Sequence, residues 1–162
     1  MATLMLIISM LVAIGFVAVI MWAEHWRIPD SISALVFSIP KQWQSVWSAW
    51  LGIISLFLAP QLFAEIGDWW LLAFIFVVCL LWVAGMPLAC PRSKMEHYIF
   101  AVIAGILSQV CVAIICPWWL ALWAVALALY VWQYKKYELD GKGVFLSEVV
   151  CATALYLSLL IN

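Results

Sequence analysis

Charge is what this chain has least of. Among 162 residues there are 7 Lys and Arg and 8 Asp and Glu, so 9% of the sequence is charged and the net charge is −1. A soluble surface takes roughly 25–35% charged residues, and this composition cannot supply one. Histidine is scarcer: His25 and His97 are the only two. There is no His-x-x-x-His and no His-Glu-x-x-His, and a zinc enzyme generally needs three protein ligands, so no metal site is expected. The Gly-x-Ser-x-Gly elbow, the Walker loop and the dinucleotide fingerprint are missing too, which leaves no cofactor to expect. No basic run suits nucleic acid. The 5 cysteines form no Cys-x-x-Cys pair. Most of them lie in apolar segments, where a thiol behaves as a small apolar group, so neither a disulfide framework nor a thiolate zinc site is expected.

What the chain has in excess is apolar length. It is 70% hydrophobic with a mean hydropathy of +1.19, against the roughly 45–50% apolar usage of soluble domains. A helix that crosses a bilayer needs about 20 mostly apolar residues. Six segments qualify: residues 4–22, 42–64, 69–88, 97–116, 118–134 and 144–161. The expected fold is therefore all-α, a polytopic membrane bundle of six transmembrane helices forming one domain over residues 1–162. Glu148 lies inside the last segment. A five-span alternative follows if that carboxylate keeps the segment out of the bilayer; its length and Leu-rich end favour six.

The few positive charges are unevenly placed. Arg27 and Lys41 fall in the first connection, Arg92 and Lys94 in the third, and Lys135, Lys136 and Lys142 in the fifth. The other connections and both termini carry none. Lys and Arg are retained in the cytoplasm, so both termini are expected on the non-cytoplasmic side of a cell membrane, most simply a bacterial inner membrane. The first segment has no Lys or Arg before its apolar run and no clean small-x-small boundary, so it reads as a membrane anchor and not a cleaved leader.

The 12 Trp residues read first as interfacial belts, since indole is apolar with one wet N–H. Trp22, Trp26, Trp43, Trp47, Trp69, Trp70, Trp118 and Trp119 sit near segment ends. Trp43, Trp47 and Trp50 share one helix face, suited to lipid or to packing. Trp82 and Trp123 lie deeper and call for a hydrogen-bond partner or a bundle contact.

Polar residues inside a membrane are costly and usually face the bundle, where they serve packing or function. Three stand out: Glu148 near the cytoplasmic end of the last segment, Gln109 near the middle of the fourth, and Gln61 toward the outer end of the second. A second set gathers on the cytoplasmic side. His25, Asp30, Ser33, Glu96 and His97 are the catalytic candidates there, with Glu24 and Ser31 beside them. Asp30 or Ser31 suits the cap of a short helix ending at Pro40. Residues 32–39 are too few to span, so this piece is expected to be interfacial or re-entrant. Small residues Ala101, Gly105 and Ser108 in the fourth segment, and Ala121, Ala124 and Ala128 in the fifth, offer seams for close helix packing, within the bundle or against a second copy or another membrane protein.

Pro29-Asp30-Ser31-Ile32-Ser33-Ala34, Gly85-Met86-Pro87 and His97-Tyr98-Ile99-Phe100 with Ala104-Gly105 resemble small uncharacterised bacterial multi-helix membrane proteins, loosely similar to the CREST superfamily of alkaline ceramidase-like hydrolases. The resemblance implies a helical bundle and, in the hydrolases, a zinc site of Ser, Asp and three His. Here Asp30 and Ser31 or Ser33 are the positions that carry over. With His25 and His97 alone, the histidine set of that site is incomplete.

Three functions are consistent with these residues. The first is a non-enzymatic membrane protein, a small sensor, assembly factor or accessory subunit. The second is a small-solute or ion transporter or channel using Glu148 and Gln109. The third is a membrane-embedded lipid hydrolase with a cytoplasmic His/Asp/Glu site, in which His25, His97, Glu96 and Asp30 share one vestibule.

Overall fold

The computed structural model describes residues 1–23, 31–37, 39–89, 94–137 and 143–161. Within them the chain is helical, with no strand. The helices are α1 (Ala2–Ala23), α2 (Lys41–Ile66), α3 (Trp70–Ala89), α4 (Lys94–Ile115), α5 (Leu122–Tyr137) and α6 (Gly143–Leu160). Three short 3-10 pieces join them: Ser33–Phe37, Gly67–Trp69 and Pro117–Ala121. Helices are the natural outcome for such apolar runs, because a helix satisfies its own backbone groups where water is absent.

Four stretches are long and apolar enough to cross a membrane: Ala2–Val19, Lys41–Gly85, Lys94–Ile115 and Gly143–Leu160. A shorter apolar helix covers Pro117–Ala128. The second stretch, 45 residues, would reach about 68 Å as one rod. It is folded into the α2–α3 hairpin at Gly67, where φ is +57°. A side chain at that position would strain the backbone.

The registers run consistently. Thr3 meets Gln61, Ser9 meets Ile54 and Val12 meets Trp50, so α1 and α2 are antiparallel. Trp82 and Phe100 pack at 5.2 Å across the α3–α4 pair. Gly143 lies against the Tyr130 ring, which sets the start of α6 beside the middle of α5. Each helix packs against its sequence neighbour except α4 and α5, which are joined through Pro117–Ala121. One end of the bundle carries Lys41 and Lys94 at helix starts and Lys135 and Lys136 in the last turns of α5. Arg27, Arg92 and Lys142 are outside the described residues. The lysine-bearing end is called the basic end below. The opposite end carries Glu65 and Asp68.

Two cores fill the bundle. The larger includes Leu6, Leu62, Phe76, Val112 and Leu155. The smaller, at the basic end, joins Phe16, Val36, Trp47 and Val83, with Phe37 and Trp50 against it. The outer flanks stay apolar, as at Leu11, Phe74, Val102, Ile106 and Leu127, which are all exposed. That is the inverse of a water-soluble surface and suits contact with lipid tails.

Two expectations need correction. The fifth helix does not begin at residue 118: Pro117 opens a 3-10 piece, and the α-helix starts at Leu122. Proline fits a first turn because it has no N–H to lose there, so the chain tightens before it straightens. Trp47 is not an interfacial belt residue. It is 3% exposed and packs edge-on against Phe16 at 6.3 Å. Trp22, Trp43, Trp69, Trp70 and Trp118 are exposed near helix ends.

Candidate functional site

The short 3-10 helix Ser33–Phe37 fills the basic end like a plug. Val36 is fully buried and Leu35 nearly so. The plug packs on α2, α3 and α4. Its far side is tied to α2 by the Gln44 amide, which donates to the Val36 carbonyl at 3.0 Å. At its near side, the first backbone N–H groups of such a helix have no partner inside it. Glu148, reaching over from α6, supplies one.

That carboxylate collects donors from three consecutive residues. Ser31 Oγ donates to Oε1 at 2.9 Å and the Ser33 N–H donates to the same oxygen at 3.2 Å. Ser33 Oγ also donates to Oε1, and the Ile32 N–H donates to Oε2. Hydrogen bonds to a carboxylate are stronger than neutral ones, and a curl of successive N–H groups is a natural seat for a negative oxygen. The sequence suggested Asp30 or Ser31 as the cap of this piece. The described cap is Glu148, more than a hundred residues away, while Ser31 serves as one of its donors.

His97 lies beneath the plug and is fully buried. The Phe37 ring meets it edge-on at 4.9 Å, and Trp47 stands at 6.2 Å. Lys94 sits over the outer side of the same Phe37 ring, its Nζ 5.8 Å from the centroid. The Ser33 and Val83 backbones approach the imidazole, but neither His97 nitrogen has a partner in hydrogen-bond geometry. A poorly aligned approach of this kind contributes little. Trp47 Nε1 and Ser48 Oγ are likewise buried without a partner.

The middle of the bundle is different. Ser9 Oγ is 2.6 Å from the Tyr156 hydroxyl and donates to the Ile54 carbonyl at 2.9 Å, joining α1, α2 and α6. Gln109 joins α4, α5 and α6: Trp123 Nε1 donates to its Oε1 at 2.8 Å, and its Nε2 donates to Ser108 Oγ at 3.0 Å and to the Cys151 carbonyl at 3.3 Å. Toward the opposite end, Gln61 donates to Glu65 at 2.7 Å and lies 3.5 Å from the Thr3 hydroxyl.

The candidate residues thus separate. Ser33 and Glu148 meet directly, with His97 on the other side of the same plug. Glu96 is exposed at the surface of α4 while His97 points inward, as neighbours about 100° apart on a helix do. Those two do not share a vestibule. His25 and Asp30 lie outside the described residues. Among the described residues, no three His, Cys, Asp or Glu side chains gather as a metal-binding group. Ser9 and Tyr156 were not singled out from the sequence. The available signal was a hydroxyl in the middle of an otherwise apolar span, Ser9, facing a span with a hydroxyl at similar depth.

No family model, curated protein or solved structure matches this chain.

Proposed function

We propose that this chain is a six-span cell-membrane protein, both termini non-cytoplasmic, that acts without catalysis as a small sensor, assembly factor or accessory subunit. The observation that carries the reading is the use of Gln109. Its amide is occupied by partners on three helices, so this polar group serves as a tie between helices. Glu148 is likewise engaged by four donors. A transport path asks for polar groups that face a water-filled route. A hydrolase asks for a base in reach of its nucleophile, and the His97 nitrogens make no hydrogen bond to Ser33.

The orientation rests on the placement of Lys41, Lys94, Lys135 and Lys136 at one bundle end, together with positive-inside retention. Cysteine placed at Asp68 should react with an impermeant thiol reagent from outside intact cells, and cysteine at Lys136 should not. Reaction of position 136 from outside would overturn the topology. The accessory reading is tested by photo-crosslinking from Val102 and Ile106, exposed on α4. It expects crosslinks to a protein, and crosslinks to lipid alone would remove its support.

A further inference from the structure

The polar side-chain atoms buried without a partner among the described residues are His97 Nδ1 and Nε2, Trp47 Nε1 and Ser48 Oγ. All belong to the basic end, on the second and third turns of α2 and the first turn of α4. Buried polar groups are hydrogen-bonded as a rule, and exceptions call for an explanation. The mid-bundle ties show that this fold pairs polar groups where it uses them for packing. At the basic end it leaves an imidazole and an indole N–H, their rings 6.2 Å apart, under a cover five residues long.

That cover has two attachments of different kinds. Val36 and Phe37 lie in apolar packing with Trp47 and Val83, and Phe37 closes directly on the His97 ring. The entry to the cover, Ser31–Ser33, is held to Glu148 by hydrogen bonds. Closure therefore works against the unmet hydrogen bonding of His97 and Trp47, and Glu148 supplies the polar counterweight. Segments balanced in this way open locally without unfolding the whole.

We propose that residues 31–37 form a lid over a polar site made by His97 and Trp47, latched shut by Glu148. With the lid lifted, the site offers an imidazole nitrogen and an indole N–H to a small molecule carrying a hydrogen-bonding oxygen, water being the smallest. The proposal concerns access to these two side chains and stands apart from the accessory reading, which rests on Gln109.

The test is the rate at which diethyl pyrocarbonate acylates His97 in the purified full chain, read by mass spectrometry so that His25 is scored separately. Cys111, fully buried in the larger core, reports global loosening through its reaction with N-ethylmaleimide. In the unaltered protein both react slowly. Glu148→Ala should speed His97 acylation about a hundredfold, the scale set by losing charge-assisted hydrogen bonds from a local opening, while Cys111 stays protected. Should Glu148→Ala not accumulate, the double variant Ser31→Ala/Ser33→Ala removes two of the four donors and should give an increase of about threefold on the same scale. The proposal is overturned if His97 stays as protected as before, if Cys111 becomes reactive in step with it, or if His97 is already as reactive as a free histidine in the unaltered protein.

Discussion

The middle of this bundle and its basic end handle polar groups in opposite ways. In the middle, a hydroxyl or amide is introduced only with its partners: Ser9 with Tyr156 and the Ile54 carbonyl, Gln109 with Trp123 and the Cys151 carbonyl. Each set spans three helices. Such contacts are modest in strength inside membranes, averaging about 0.6 kcal/mol, but they are directional where apolar packing is not, and so they fix which helices meet. At the basic end a carboxylate has four donors, while an imidazole a few residues away in space has none. Packing alone accounts for the first region. It does not account for His97, because a leucine would fill similar space without leaving nitrogens unmet. The difference separates polar residues that hold the fold from polar residues that the fold holds.

That contrast can be broken by substitution, and the effects should fall in order. Glu148→Ala removes the acceptor for two hydroxyls and two N–H groups and should destabilise the protein by about 3 kcal/mol, if orphaned donors cost their usual 1–3 kcal/mol and water reaches some of them. Unfolding of the purified chain in mixed micelles with increasing SDS measures it. A loss below about 1 kcal/mol, the worth of one ordinary hydrogen bond, would mean that the carboxylate is not the anchor of the plug. Gln109→Ala should cost about 2 kcal/mol by the same measurement, since it strands the Trp123 N–H and opens a small void. His97→Leu should go the other way. Losing two unmet nitrogens should leave stability unchanged or raise it by about 1 kcal/mol, and a large loss would show that His97 has partners in solution after all. Tyr156→Phe should be the mildest, about 0.6 kcal/mol, because Ser9 keeps its bond to the Ile54 carbonyl.

Much of the architecture was legible because the bilayer constrains it so strongly. Runs of Leu, Ile, Val and Phe can only be helices when no water is at hand for the backbone, and Gly67 and Pro117 mark where they turn. The need of Trp123 for a partner was legible too, and Gln109 stood out as a polar residue within an apolar segment. That the two satisfy each other was not, since pairing depends on the rotation of α4 against α5, and apolar sequence on all sides leaves that rotation unmarked. Trp47 misled for the same reason. Its spacing from Trp43 and Trp50 gives a shared face, but not whether that face meets lipid or Phe16. The Glu148 cap was hidden by distance along the chain: local capping logic points to residues before the helix, such as Asp30, and cannot see a carboxylate arriving from the last span. His97 stood among the catalytic candidates of a cytoplasmic vestibule; a burying plug from another connection left no trace in its neighbours in sequence.

Cys151 offers the most direct test of the claim that the polar middle is a dry tie between helices and not a path. It lies one turn beyond Glu148 on α6, its carbonyl accepts from Gln109, and its thiol faces the Gly105 carbonyl at 3.8 Å. It therefore stands between the two residues any transport route would use. The measurement is the rate at which a charged, water-soluble methanethiosulfonate reagent modifies Cys151 in membranes, in a chain whose other four cysteines have been replaced. The account predicts no modification from either side over hours. Rapid modification from either side would mean that water reaches Gln109, and would replace the tie with a channel.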